Sequence, residues 1–135
     1  MSDDELIGKA REAAKNAYCP YSNFPVGAAV IGEDGKVYLG CNVENASYGL
    51  TVCSERTAIF NAVSAGNRKI MKLATTCVKG DSSDPGSLMS CGACRQVIGE
   101  FLDENGTILV DGVGSFTMDQ YLPLRFKIPK PTGTV

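Results

Sequence analysis

The chain has 135 residues, of which 44% are hydrophobic and 21% are charged, and its formal net charge is −2. These values are typical of a soluble globular protein, and they exclude a strong electrostatic attraction to nucleic-acid polymers or anionic membranes. The length fits one domain, which we expect to span residues 1–135. No apolar run has the length of a membrane span, and the acidic start MSDDE is unlike a signal peptide, so we expect a cytoplasmic protein.

The first half of the chain predicts a helix followed by a β-hairpin. Ser2 and Glu5 form a capping-box pattern, and apolar residues at helical spacing follow it, which predicts a helix over residues 3–18. The stretches VGAAVIG and KVYLGCNV are rich in strand-forming residues, and Asp34-Gly35 marks a turn between them.

The second half predicts alternating strands and helices. Residues 79–90 form a long loop, and loops of this length in small domains are often functional. The order α-β-β-α-β-α-β-α indicates a mixed sheet covered by helices, because crossovers favour parallel neighbours and a hairpin is antiparallel. The predicted elements are helices over 53–66, 91–106 and 117–121 and strands over 70–78 and 107–110.

Six cysteines and no histidine occur in the chain. Cys53, Cys91 and Cys94 fall at the starts of predicted helices, where backbone N–H groups and the helix dipole stabilise a thiolate. The Cys91-x-x-Cys94 pair spans about one helical turn, so both sulfurs can reach one ion, and Cys53 supplies a third ligand. Structural zinc has four protein ligands, whereas catalytic zinc has three and a water. The other thiols lack a matching pattern, which favours one catalytic Zn²⁺ per chain; they are Cys19, Cys41 and Cys77.

Glu55 gives the metal pattern a chemical use. A water activated by the metal must lose a proton, and without histidine a carboxylate is the available acceptor. Cys-x-Glu followed by CxxC corresponds to the zinc-deaminase signature. Arg56 and Arg95 are candidates to donate a hydrogen bond to a ligand sulfur and so reduce the negative charge of a three-thiolate site. The alternatives, a structural zinc clip, three buried thiols or a redox CxxC pair, leave Glu55 without a role.

The chain resembles the small homotetrameric cytidine deaminases whose zinc ligands are all cysteines. This resemblance implies an α/β protein with a three-layer α/β/α fold around a mixed five-stranded sheet. It also implies a hydrolase of pyrimidine salvage that deaminates cytidine and 2′-deoxycytidine to the uridine forms and releases ammonia. The matching stretches are YCPYSNFPVGAAV (18–30), GCNVENASYGLTVCSERTAIFNAVSAG (40–66), CGACRQVIGEF (91–101) and YLPLRF (121–126).

Further residues gain candidate roles from the resemblance alone. Asn42 and Glu44 are implied to hydrogen-bond the ribose hydroxyls, and Phe24 to pack against the pyrimidine. Tyr48 and Phe126 belong to segments that reach neighbouring subunits in the family, which implies a homotetramer with shared active sites. The implied zinc ligands and proton carrier are those inferred above, namely Cys53, Cys91, Cys94 and Glu55.

Two places beside the metal depart from the family pattern. Ser54 replaces the usual alanine of Cys-Ala-Glu, and Met89-Ser90 replace Thr or Ser followed by proline. The family uses the backbone at these positions to contact the base, so Ser54 and Met89 are candidate substrate-binding residues. A modified cytosine nucleoside, such as blasticidin S or an N4-substituted cytidine, is therefore an alternative substrate, and a non-catalytic zinc-stabilised binding protein is a further alternative. The NVEN segment favours plain nucleosides.

Overall fold

The computed structural model describes residues 1–131 and 133, in which helices cover both faces of a five-stranded sheet. Two short 3-10 helices, Tyr48–Leu50 and Pro85–Leu88, lie in the connections that lead to the helices Ser54–Ser64 and Gly92–Phe101. No helix in this part of the chain combines the length and hydropathy that a membrane span requires. In chain order the elements are α1 (Asp3–Ala14), β1 (Val26–Gly32), β2 (Val37–Cys41), α2 (Ser54–Ser64), β3 (Ile70–Cys77), α3 (Gly92–Phe101), β4 (Leu102–Val110), β5 (Gly114–Phe116) and α4 (Met118–Tyr121).

The sheet is mixed, with the strand order β2-β1-β3-β4-β5. β3 and β4 are parallel and are connected through α3, whereas the other neighbouring pairs are antiparallel. A parallel pair requires a crossover connection, and here the loop before α3 and α3 itself provide it. The predicted α/β fold with a mixed five-stranded sheet is confirmed.

Alternate residues of the central strands face opposite layers of the protein. On β1, Ala28 and Val30 belong to the core shared with α2 and α3, whereas Ala29 belongs to the core shared with α1. On β4, Ile108 and Leu109 divide in the same way. This alternation follows from the period of two along a strand, and burial on both faces explains why these strands read as continuous apolar runs.

The first helix is shorter than the sequence predicts. α1 ends at Ala14 and not at residue 18. The apolar spacing continues past Ala14, but Tyr18 already forms a parallel β-bridge with Val43. Tertiary pairing therefore overrides the local helical pattern at this end.

The end of α3 also differs from the prediction. α3 ends at Phe101, and residues 102–106, predicted as its last turn, belong to β4. Leu102 pairs with Ile70 of β3, and the chain then bulges before regular pairing resumes at Thr107. The short β5 was missed because three residues are too few to show a period-two pattern.

Helix α2 crosses β2 at Gly40, and the close approach leaves no room for a side chain. A Cβ atom at Gly40 would lie 2.2 Å from the backbone nitrogen of Ala58 and 2.5 Å from the carbonyl oxygen of Ser54. Both atoms belong to the helix backbone and cannot move without moving α2. Glycine at this position therefore fixes how the start of α2 sits on the sheet.

We expect Gly40→Ala to lower the free energy of unfolding by about 1–3 kcal/mol, because overpacking displaces α2. Urea unfolding measures the change. The matched control is Gly8→Ala in α1, where a Cβ atom meets nothing within 4 Å. This control should raise the free energy of unfolding by about 0.5–1 kcal/mol, because alanine favours a helix interior. Equal effects of the two substitutions would contradict the packing constraint.

Candidate active site

Three cysteine sulfurs converge where α2 and α3 begin. Cys53 is the N-cap residue of α2, Cys91 is the N-cap residue of α3, and Cys94 lies in the first turn of α3. Their Sγ atoms all lie within 4.8 Å of one another, and those of Cys91 and Cys94 are 3.4 Å apart. The predicted three-cysteine cluster is confirmed.

Zinc fits these three sulfurs. Four ligands at a Zn–S distance of about 2.3 Å in a tetrahedron stand roughly 3.8 Å apart, a value between the 3.4 Å that separates Cys91 and Cys94 and the 4.8 Å within which all three sulfurs lie. Thiolates are preferred ligands of Zn²⁺, and the helix N-termini favour the thiolate form. Cys77 is not a fourth ligand: its thiol donates to the carbonyl of Leu88 at 3.7 Å, and burial raises its pKa to about 11.

Arg56 lies against the ligand Cys53. Its Nη2 donates to the Sγ atom of Cys53 at 3.5 Å. A hydrogen bond from Cys94 lowers the pKa of Cys53 to about 6. Arg56 contributes to this lowering, and burial opposes it. From the other side, hydrogen bonding to Cys53 and burial raise the pKa of Cys94. The guanidinium of Arg56 therefore offsets negative charge on the sulfur cluster.

Arg95 has different partners. Its Nε donates to the carbonyl of Ser90 at 2.9 Å, and its Nη1 donates to the carbonyl of Tyr121 at 2.7 Å. The guanidinium carbon also lies 4.4 Å from the centre of the Tyr121 ring. Arg95 thus holds the backbone that leads into the Cys91-x-x-Cys94 turn and does not donate to a sulfur.

Glu55 lies in the first turn of α2, beside the sulfur cluster. Its side chain is only 4% exposed, and its Oε1 accepts a hydrogen bond from the hydroxyl of Ser54 at 2.7 Å. Ser54 is fully buried. The serine that departs from the family pattern therefore orients the carboxylate.

A cavity of about 340 Å³ contains the sulfur cluster and Glu55. Phe126 does not line it, since its side chain is 68% exposed and lies elsewhere on the surface. Sequence reasoning missed several lining residues because they carry no chemical pattern; these include Ser22, Thr51, Cys77 and Ser87. The other predicted residues that line it are Phe24, Asn42, Glu44, Tyr48, Ser54 and Met89.

Asn42 and Glu44 form the polar end of the cavity. The Oδ1 atom of Asn42 accepts from the backbone N–H of Val26 at 2.9 Å, and its Nδ2 donates to the carbonyl of Phe24 at 2.8 Å. One donor and one acceptor position of the amide remain for a ligand.

Glu44 is held as an anion by several donors. Its Oε1 accepts from the backbone N–H groups of Tyr21 and Ser22 at 3.0 and 3.1 Å. Its Oε2 accepts from the hydroxyl of Ser22 and, at 3.4 Å, from that of Tyr48. Burial acts against the charge, but these hydrogen bonds prevail and lower the pKa of Glu44.

Comparison with known proteins identifies the family to which this chain belongs. Residues 1–109 match the family described as the cytidine and deoxycytidylate deaminase zinc-binding region. The chain belongs to this deaminase family. It is 51% identical to the cytidine deaminase of Sporosarcina psychrophila over 82% of this chain and 76% of that protein. It is 42% identical to the cytidine deaminase of Halalkalibacterium halodurans over 93% of this chain and 95% of that protein.

A solved structure agrees with the sequence comparison. The cytidine deaminase from Burkholderia pseudomallei superimposes with a TM-score of 0.83 at 41% identity, covering 93% of this chain and 100% of that one. The three sulfurs described above therefore form the zinc site of a deaminase domain, and Glu55 lies in the same cavity.

We expect Arg56→Gln to lower the rate of deamination about 10- to 100-fold, because a neutral amide leaves the charge of three thiolates uncompensated. The zinc content should remain at the parent level, since the three ligands are intact. The control is Arg68→Gln, because Arg68 donates to the carbonyls of Val63 and Asn67 and does not line the cavity. Unchanged turnover of the zinc-loaded Arg56→Gln variant would refute this role.

Proposed function

We propose that this protein converts cytidine and 2′-deoxycytidine to uridine and 2′-deoxyuridine by zinc-dependent hydrolysis, with release of ammonia. The observation that carries the proposal is the placement of the buried Glu55 in one cavity with the sulfurs of Cys53, Cys91 and Cys94. A structural zinc clip needs neither a cavity nor an adjacent carboxylate. The names of the curated relatives support the substrate.

The three cysteines would hold Zn²⁺ as thiolates. When bound, the ion supplies Lewis acidity that makes a water molecule acidic enough to act as a nucleophile near neutral pH. The chain's own contribution is to favour the thiolate form of Cys53, through the N-terminus of α2 and the hydrogen bond from Arg56.

Glu55 is proposed to move the protons of the reaction. Its carboxylate takes a proton from the attacking water and passes it to the leaving amine. The hydrogen bond from Ser54 occupies Oε1 and leaves Oε2 free for this exchange. The chain contains no histidine that could share the task.

Asn42 and Glu44 are proposed to bind the ribose hydroxyls. An ionised carboxylate accepts hydrogen bonds only, so Glu44 matches hydroxyl donors, while Asn42 offers both a donor and an acceptor. Phe24 and Met89 line the same cavity and are proposed to contact the pyrimidine. This polar end favours plain nucleosides over the blasticidin S and N4-substituted alternatives.

A homotetramer with shared active sites is part of the proposal. The apolar side chains of Leu124 and Phe126 are exposed. The backbone of Leu124 adopts a φ of 49°, which lies in the left-handed region and costs a leucine conformational energy. Phe60 on α2 is also exposed. Burial of these apolar side chains against neighbouring subunits would remove them from water, and Tyr48 lies at the rim of the cavity they would approach.

A cytoplasmic location and a role in pyrimidine salvage complete the proposal. All six cysteines of the described chain are free thiols. Three of them must remain reduced to act as zinc ligands, which a reducing compartment ensures.

We expect Glu55→Gln to lower kcat for cytidine at least about 10²-fold, because glutamine cannot accept a proton and general acid–base catalysis contributes about 10²–10⁴-fold. Loss of absorbance on conversion of cytidine to uridine measures the rate. The control, Glu104→Gln, changes an exposed carboxylate remote from the cavity and should leave the rate unchanged. A Glu55→Gln variant with parental turnover would exclude the mechanism.

The same assay separates the substrate alternatives. On the proposed function, kcat/KM is highest for cytidine and 2′-deoxycytidine. A higher value for blasticidin S or an N4-substituted cytidine would assign the enzyme to that alternative. No ammonia from any of the four compounds would favour the non-catalytic binding protein.

We expect Phe126→Ala to lower kcat/KM about tenfold, as truncation of an aromatic contact at an interface costs roughly 1–2 kcal/mol. Light scattering of the parent protein should give the mass of a tetramer. Val113→Ala, a change at a half-exposed valine in the turn before β5, serves as the control. A fully active parental monomer would remove Phe126 and Tyr48 from the site.

A further inference from the structure

Ser90 occupies the position where the family pattern has proline, and every polar group of this residue has a partner within the protein. Its backbone N–H donates to the hydroxyl oxygen of Tyr121 at 3.0 Å, and its own Oγ accepts from that hydroxyl at 2.7 Å. Its carbonyl accepts from Arg95. Ser90 is 6% exposed and Tyr121 is 1% exposed, so water does not compete for these bonds.

Tyr121 is itself held rigidly. Its ring lies in the core formed with α2 and α3, packs on Phe116 at a centroid distance of 5.7 Å, and is covered by the guanidinium of Arg95. Its carbonyl accepts a hydrogen bond from the same guanidinium. The hydroxyl is therefore presented to Ser90 from a fixed platform.

The segment that Tyr121 holds forms one wall of the cavity. Ser87, Met89, Ser90 and Cys91 all line it, and Leu88 is buried in the core between them. Proline would restrict this segment by fixing its own φ angle. Serine leaves that angle free, so the restriction must come from contacts.

We propose that Tyr121 is a positioning residue for the deamination reaction, whose hydroxyl, clamped to both the N–H and the Oγ of Ser90, holds the Met89–Cys91 wall against the substrate in place of the proline ring. Tyr121 does not line the cavity, and it acts through Ser90. The proposal rests on the proposed function for its substrate, cytidine.

The first test is Tyr121→Phe, which keeps the ring and its contacts and deletes the clamp. The expected result is a rise in KM for cytidine of roughly tenfold with a smaller change in kcat, because a loosened wall weakens binding in the ground state and the transition state alike. Hydrogen exchange followed by mass spectrometry should show faster exchange in a peptide covering residues 87–91 of the zinc-loaded protein. Zinc content should equal that of the parent.

The matched control is Tyr38→Phe. Tyr38 also donates its hydroxyl to a side chain, that of Asp34, but on β2 and away from the cavity. Loss of this hydroxyl should leave KM and the exchange of residues 87–91 unchanged. A purely structural contribution of Tyr121 would lower the melting temperature as Tyr38→Phe does, with KM unaltered, and would overturn the proposal.

The decisive test is rescue by Ser90→Pro. Proline removes the N–H and the hydroxyl that Tyr121 satisfies, and Met89, with φ −85° and ψ 158°, already has the extended backbone that a residue before proline requires. Either single variant leaves a buried polar group unpaired, whereas the Ser90→Pro/Tyr121→Phe double variant leaves none. The double variant should therefore lie closer to the parent in KM and melting temperature than either single variant.

Additive effects of the two substitutions, or a KM for Tyr121→Phe within twofold of the parent, would overturn the proposal. The failure of the proposed function looks different. In that case the parent itself leaves cytidine unchanged, while exchange rates and melting temperatures still report whether the Tyr121–Ser90 clamp exists.

Discussion

The site depends on α2 and α3 starting close together, so that the cysteines at both helix starts can reach one ion. Three thiolates and a carboxylate close together repel one another, and burial makes that repulsion stronger. The N-termini of α2 and α3 each direct partial positive charge at this point, Arg56 adds a full charge, and a divalent cation completes the balance. Tertiary packing brings the two helix starts together. Gly40 lets α2 approach β2 closely, and the segment before Cys91, which Tyr121 holds, positions the start of α3.

The two buried carboxylates of the cavity have opposite surroundings, which suits opposite tasks. Glu44 accepts hydrogen bonds from two backbone N–H groups and two hydroxyls, so its charge is fixed, which on the proposed function suits a constant acceptor for the ribose. Glu55, among the described side chains, accepts from Ser54 alone. A carboxylate with few fixed donors can exchange a proton without breaking a network. On the proposed function, these different surroundings give two chemically identical groups different roles.

The features of the fold and of the site that can be predicted from the sequence are those that a local sequence pattern determines. The clustering of Cys53, Cys91 and Cys94 and the position of Glu55 beside them are predictable because ligand spacing and helix starts are local features. The major strands are predictable from their apolar runs. β5, the end of α3 at Phe101 and the bulge before Thr107 depend on pairing between distant segments, which no local pattern records. The sequence offered Arg56 and Arg95 as equivalent candidates. Only packing shows that one contacts a sulfur and the other a backbone.

The two departures from the family pattern share a physical consequence. Ser54 replaces a residue without a polar side chain and hydrogen-bonds Glu55, and Ser90 replaces proline and hydrogen-bonds Tyr121. A buried hydrogen bond contributes about 0.5–1.5 kcal/mol net, and a compatible proline contributes about 0.4–1 kcal/mol through the unfolded state. Ser90 makes two such bonds with Tyr121, which together contribute at least as much to the stability of the fold as a proline at residue 90 would.

What changes is the origin of the local rigidity. A proline ring restricts its segment by covalent geometry, whether or not its surroundings are packed. The Ser90 segment is rigid only while Tyr121 stays buried, so the wall of the active site is coupled to the core beneath α4. In this chain, any change that loosens the packing around Tyr121 also reaches Met89 and Cys91, the residues on either side of Ser90.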